Sequence, residues 1–253
     1  MLLIKNGKVL TMGPQGVLEQ ADVLIGDDGK IVKVAAAIEA EAAQVIDASG
    51  RIVMPGIVDA HSHIGGFDTD TGAQDLNELT KPQTPEIQAY DGINPLDRSF
   101  MESAKAGITT SAITPGSGNV ICGLACAVKS AGTSLASRTL RNPIALKAAM
   151  GVNPKGVYGP RTAMPMSRLG VADLFRDYFL KVKDYQAKKA QGQTDPEKMP
   201  KFDQGLENGL LVLEKKIPLK VHCYQHDMMS LLQLAEEFDF DVTLDHALGS
   251  SDF

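Results

Sequence analysis

Five histidines carry the clearest chemical signal in this sequence: His61, His63, His222, His226 and His246. They occupy three short segments, each at or just past the C-terminal end of a predicted strand. In α/β barrels and sheets that end of the strands carries the chemistry. His61 and His63 are two residues apart. On a strand, that spacing sets both side chains on one face with Cα atoms roughly 6–7 Å apart. Two imidazoles so placed can converge on one divalent cation, and neutral imidazole suits zinc and iron. The alternative, a hydrogen-bonded core pair, needs a polar partner for each buried ring nitrogen.

His222 and His246 each end a predicted strand and, taken with the pair, can complete a metal shell. His226 follows His222 by four residues but falls in the next turn, which reads as a structural or substrate-facing position. Asp59, two before His61, shares its face and can orient an imidazole from behind. Asp245 directly precedes His246, so strand alternation sends it to the opposite face, into a structural contact. Cys122 and Cys126 lie four apart among small residues and read as apolar fillers, and Cys223 alternates away from His222. Gly116-Ser117-Gly118 lacks both the nucleophile-elbow pattern and a phosphate-loop lysine, so it reads as a tight turn.

The elements that must position these side chains fall into two stretches. Residues 1–55 read as a small β module. Asn6-Gly7 predicts a hairpin between residues 2–4 and 8–10, and residues 26–30 predict a second between 21–25 and 31–34. Residues 45–47 and 51–54 are further short strands, and the Ala-rich stretch 35–43 is the one candidate helix. From residue 56 to 253 strands alternate with helices, which predicts parallel βα units. Strands are expected at 57–64, 108–113, 120–130, 218–223 and 241–246, and helices at 95–106, 169–189, 206–215 and 228–238. Residues 66–97 read as a long loop, of a kind that usually covers a site. The methionines near 164–166 and 228–229 read as packing residues.

Composition narrows the classes. The chain has 253 residues, 43% apolar and 22% charged, enough to build a core. Its 25 Lys and Arg against 31 Asp and Glu leave a formal charge of −6, with no basic run to hold a nucleic-acid backbone. There is no Trp and aromatics are 5%, which also weighs against a base-stacking surface. No stretch approaches the roughly 18 apolar residues of a membrane span, and residues 1–7 do not form a secretory signal. Three cysteines give no disulfide framework, so a cytoplasmic setting is expected.

The segment Met54-Pro55-Gly56-Ile57-Val58-Asp59-Ala60-His61-Ser62-His63 after a β-rich leader resembles the amidohydrolase superfamily of metal-dependent (β/α)8 hydrolases. Gly107-Ile108-Thr109-Thr110, Pro115-Gly116-Ser117, Gly151-Val152-Asn153-Pro154-Lys155, Tyr158-Gly159 and Leu219-Lys220-Val221-His222 resemble its imidazolonepropionase-like branch. The resemblance spans residues 2–248. It implies a TIM barrel with a small β-sandwich part formed by the leader. It makes His61, His63 and His222 ligands of one ion, with His246 at the water or substrate; with two ions, His222 and His246 hold the second. It also implies hydrolysis of an amide, cyclic amide or amidine by metal-activated water, with zinc favoured and iron the alternative. A deaminase or deacetylase of the same superfamily is the first rival reading, and a non-catalytic metal-binding half the second.

Two departures from the family pattern matter. Val152 stands where relatives often carry an acidic residue, which favours one ion over two; Lys147 and Lys155 are the substitutes the sequence offers. The 185 residues from His61 to His246 correspond to about six βα units at roughly 30 residues each. The strand that carries the family's proton-accepting aspartate is missing. The expectation is therefore that the chain is the N-terminal part of a longer enzyme of small molecules, or that a partner supplies the rest, a C-terminal complement or a homo-oligomer included.

Overall fold

The structure is a computed structural model that describes residues 1–68 and 71–252. It separates into two compact units, Met1–Ile57 and Val58–Phe253. Among the described residues no helix is long and apolar enough to cross a membrane.

The first unit is a β-sheet of β1 (Leu2–Leu10), β2 (Val17–Ile25), β3 (Ile31–Ala35), β4 (Gln44–Asp47) and β5 (Ile52–Val53). The order is β3-β2-β1-β4, with β5 also paired to β1. The hairpin expected at residues 26–30 joins β2 to β3. The one expected at Asn6-Gly7 does not form, because β1 runs straight through it. Asn6 takes a left-handed φ of 64°, and the ladder to β2 shifts register on either side of Gly7. The buried Asp22 carboxylate accepts the Asn6 and Ile38 N–H groups at 2.9 Å each, so the distortion is a bulge with its own acceptor. The Ala-rich stretch is not helical; Ile38 is instead buried against Leu3 and Leu24.

The second unit is mixed α/β. Its sheet contains β6 (Ile57–Ser62), β7 (Ile108–Ile113), β8 (Ile121–Lys129), β9 (Thr139–Ala149), β10 (Leu219–Tyr224) and β11 (Val242–Leu248), in the order β11-β10-β9-β8-β7-β6. The helices are α1 (Arg98–Lys105), α2 (Leu135–Arg138), α3 (Val152–Tyr158), α4 (Arg168–Gly192), α5 (Gln204–Leu213) and α6 (Gln225–Phe238). The parallel βα alternation holds for β9, β10 and β11. It fails at β8, which is antiparallel to both β7 and β9. The connections on either side of β8 are too short for a helical crossover, so the chain doubles back.

Strands β9 and β10 alternate strictly. Leu146, Ala148, Leu219, Val221 and Cys223 face α4, α5 and α6, where Phe175, Phe179, Val182, Leu210, Leu231 and Leu234 complete the main core. Lys147, Lys220 and His222 take the other face. The sheet is strongly curled. Six flat strands would hold β6 and β11 roughly 24 Å apart at about 4.8 Å per strand. The rings of His61 on β6 and His246 on β11 instead lie 4.9 Å apart between centroids, so the outer strands meet across a nearly closed, barrel-like sheet.

The 66–97 segment, of which residues 69 and 70 lie outside the described residues, is stitched down along much of its length. The Leu76 carbonyl accepts the Gly116 N–H at 2.8 Å and Asn77 Oδ1 accepts the Gly118 N–H at 2.9 Å. The Tyr158 hydroxyl donates to the Lys81 carbonyl at 2.7 Å, and the Leu124 N–H donates to the Ile87 carbonyl at 2.9 Å. The segment is thus a fixed wall from Leu76 to Ile87.

Candidate metal centre

Four of the five histidines come together on the inner face of the curled sheet. Ring centroids are 5.0 Å apart for His61 and His63, 4.9 Å for His61 and His246, and 4.6 Å for His222 and His246. The pairs meet edge to face, with interplanar angles of 82°, 71° and 68°. As they stand, no three His, Cys, Asp or Glu side chains among the described residues form a group that could hold an ion. His226 is exposed in the first turn of α6, away from the cluster.

The ring environments differ in a way that bears on ligation. His63 Nδ1 lies 2.9 Å from the Thr114 carbonyl, just past β7, which favours the proton on Nδ1 and leaves Nε2 as an acceptor. His222 is 4% exposed, and both of its ring nitrogens are buried with no hydrogen-bond partner among the described residues. Two orphaned nitrogens on one buried ring are costly unless something binds them. Unpartnered imidazole nitrogens are the donor chemistry of a divalent cation that prefers imidazole, although the rings as they stand do not converge on one point. Burial lowers the His222 pKa to about 4, helped by His246 and Lys147, and burial also lowers those of His63 and His246. At neutral pH these three rings are uncharged, the form in which imidazole ligates.

Beneath the rings lies a buried charge cluster that strand periodicity alone does not reveal. Lys147 is fully buried, and its Nζ contacts Asp245 Oδ2 at short range. Lys220 Nζ makes an equally short contact with Asp245 Oδ1. His61 Nδ1 lies 2.9 Å from Asp245 Oδ2, an ion-pair distance, although the ring N–H is not aligned as a proper hydrogen bond. Burial would raise the Asp245 pKa; His61 and the two lysines outweigh it and hold the carboxyl well below the usual carboxylate range. Burial also lowers the Lys147 pKa, against the pull of Asp245.

The expectation that Asp245 faces away from the cluster is corrected: Asp245 pairs in register with His222 and shares its inner face, and it is His246, in register with the outward Cys223, that departs from alternation, its backbone turning left-handed at His246 (φ 67°) and Ala247 (φ 45°). Lys220 was legible in principle, being two residues before His222 and on the same face. Lys147, one of the two substitutes the sequence offers for the acidic residue, is fully buried on β9. Asp59 does not reach an imidazole: its Oδ1 accepts the His61 backbone N–H at 3.1 Å. Val152 is 52% exposed at the start of α3. Cys122, Cys126 and Cys223 are free and buried, with pKa values pushed up by burial to about 12, 12 and 11. A cavity of about 170 Å³ opens beside the end of β7, lined by Gly66, Asp75, Asn77, Gln88 and Thr114 among others.

No family model matches the chain. Among curated proteins it is similar to the amidohydrolase tasK of Hapsidospora irregularis, 32% identical over 254 residues that cover 89% of this chain and 26% of that protein. It is similar to a 5'-deoxyadenosine deaminase of Methanococcoides burtonii, 39% identical over 112 residues, 42% of this chain and 26% of that one. A dihydroorotase of Streptococcus pyogenes serotype M1 is 63% identical over 65 residues, 25% of this chain and 14% of that one. The chain thus spans about a quarter or less of these relatives. A crystal structure of an amidohydrolase from Thermotoga maritima MSB8 matches with a TM-score of 0.91 at 38% identity, over 97% of this chain and 64% of that one. This likeness, running through nearly the whole of this chain, bears out the resemblance to the amidohydrolases.

Proposed function

We propose that this chain supplies the metal-binding part of a hydrolase that breaks carbon–nitrogen bonds other than peptide bonds, in an amide, cyclic amide or amidine. The observation that carries the reading is His222, whose two buried ring nitrogens have no partner among the described residues and whose ring lies 4.6 Å from that of His246. His61, His63 and His222 are the proposed ligands of a single divalent cation, zinc ahead of iron. His246 is the proposed catalytic residue, touching the water or the substrate and serving as a ligand if a second ion is held. When bound, the cation supplies a water acidified toward neutral pH and polarises the carbonyl under attack.

The chain's own groups prepare this chemistry. His222, with a pKa of about 4, accepts a cation at neutral pH without first losing a proton. His63 is turned by the Thr114 carbonyl so that Nε2 is the free acceptor. Asp245, held ionised by two lysines, is too weak a base to carry a proton to the leaving nitrogen. The cavity beside β7 is the proposed pocket for part of a small-molecule substrate. The (β/α)8 reading, a cytoplasmic location, and completion by a C-terminal complement or a second copy belong to the same proposal.

A deaminase or deacetylase would use the same ligands, and the name of the Methanococcoides burtonii relative favours keeping deamination in view. The part-length match to the relatives keeps a non-catalytic, metal-binding half in view as well. The test is elemental analysis of the purified chain and of His222→Ala, paired with a turnover screen of cyclic amides, N-acyl amino acids and aminopurine nucleosides. The expected result is about one zinc or iron per chain, lost in the variant. Full turnover by rigorously metal-free protein overturns the reading.

A further inference from the structure

Alternation along β10 sets Lys220, His222 and Tyr224 on the inner face, in successive steps toward the C-terminal end of the strand. Lys220 reaches the Asp245 carboxylate, His222 stands in the ring cluster, and Tyr224 is the step beyond it. The Tyr224 ring meets His222 edge to face, with centroids 5.0 Å apart and planes at 71°. It lies 6.4 Å from the His246 ring, tilted by 43°. The three rings make one corner, and burial is graded across it: His222 is buried, Tyr224 half-buried and His246 exposed. The ladder to β11 slips at this level, with Cys223 paired to His246 and Tyr224 to Leu248. The hydroxyls of Tyr158, Tyr178 and Tyr185 each donate to an acceptor in the chain at 2.6–2.7 Å. Among the described residues the Tyr224 hydroxyl has no such acceptor. A partly exposed aromatic ring with an uncommitted hydroxyl, set beside the proposed ligand His222 and the proposed catalytic residue His246, has the make-up of a binding wall.

We propose that Tyr224 is a substrate-contacting residue: its ring packs on a flat, cyclic amide or amidine held beside His246, and its hydroxyl bonds to a polar atom of that ring. This rests on the hydrolase reading above and narrows it, favouring flat rings over open chains. The role requires no change of charge in any group of the site. The competing account makes Tyr224 only a packing residue against His222 at the start of α6, with no contact to substrate.

Two probes of one chemistry separate the accounts: hydantoin, a flat ring, and acetylurea, the same acyl urea with the ring opened. Each is titrated into the metal-free and the zinc-loaded chain, labelled in its tyrosine rings, with the Tyr224 resonances identified by their loss in Tyr224→Phe. Hydantoin is expected to move those resonances in the zinc-loaded chain. Its dissociation constant should rise roughly 3–10-fold in Tyr224→Leu and about 2–3-fold in Tyr224→Phe, with zinc affinity unchanged in both. Acetylurea should bind the unmodified chain and Tyr224→Leu alike. A zinc-loaded chain that does not bind hydantoin, binding that leaves Tyr224 unmoved, or equal losses for the two probes overturns the proposal. So does a loss of zinc affinity in Tyr224→Leu, which assigns Tyr224 to the support of His222. Should Tyr224→Leu fail to fold, the spectra of the unmodified chain and the affinity of Tyr224→Phe decide. A chain that takes up neither zinc nor iron ends the hydrolase reading, and the response of Tyr224 to hydantoin in the metal-free chain then decides the contact on its own.

Discussion

The two faces of β9 and β10 are built from alternate residues of the same strands, yet they do opposite work. Outward, Leu146, Ala148, Leu219, Val221 and Cys223 pack on α4, α5 and α6 in the main apolar core. Inward, Lys147, Lys220 and His222 join Asp245 in a cluster that holds ion pairs and unpartnered ring nitrogens together. The outer face excludes water and supplies folding energy in proportion to apolar area. The inner face has polar atoms without a hydrogen-bond partner among the described residues, the feature on which the proposed cation site rests. The apolar core and the proposed site are thus one residue apart in sequence and a strand thickness apart in space.

That division can be broken experimentally. The largest effect belongs to the outer face: Phe179→Ala, which empties a fully buried ring site under β10, should cost about 3–5 kcal/mol in denaturant unfolding. The fraction that stays folded should bind metal as before. On the inner face, Lys147→Met leaves Asp245 with Lys220 and His61 as partners. Its cost should be smaller, about 1–3 kcal/mol. His222→Ala should change stability by less than about 1 kcal/mol, because no hydrogen bond is lost, while abolishing most metal affinity. A His222→Ala chain as unstable as Phe179→Ala would erase the distinction between the faces.

Two smaller tests sharpen it. Native protein at pH 8 should show no rapidly reacting thiol toward an aromatic disulfide reagent, and three on denaturation, since the three cysteines are buried with raised pKa values. The smallest effect lies outside both faces, at Glu207, which accepts from Tyr185 and Lys189 at 2.6 Å each. Burial works against its charged form, but those two partners lower its pKa below the ordinary 4.5. Its contribution is therefore present above pH 4.5 and lost as pH falls through the depressed value. Glu207→Gln should flatten stability below pH 4.5 by less than about 1 kcal/mol.

Much of the site was legible before any coordinates. The period of two made His61 and His63 neighbours, and the strand-end positions singled out His222 and His246. The β module was legible in outline, but Asn6-Gly7 reads as a turn only when the flanking strands are taken locally. Pairing with β2 and the Asp22 acceptor kept β1 continuous. The direction of β8 was not legible, because an apolar run has the same pattern whether its neighbours run parallel or antiparallel.

The sequence by itself determined which residues share a face, since alternation is a property of the extended backbone and needs no partner. Only the tertiary structure decided that β6 and β11 meet, because curvature accumulates over a whole sheet and leaves no mark in any one segment. Only there, too, did His246 break alternation to join Asp245 on the inner face, through two left-handed residues that have no glycine to announce them. The buried lysines followed the same logic: Lys147 and Lys220 are ordinary strand residues until the curl brings a carboxylate from β11 between them.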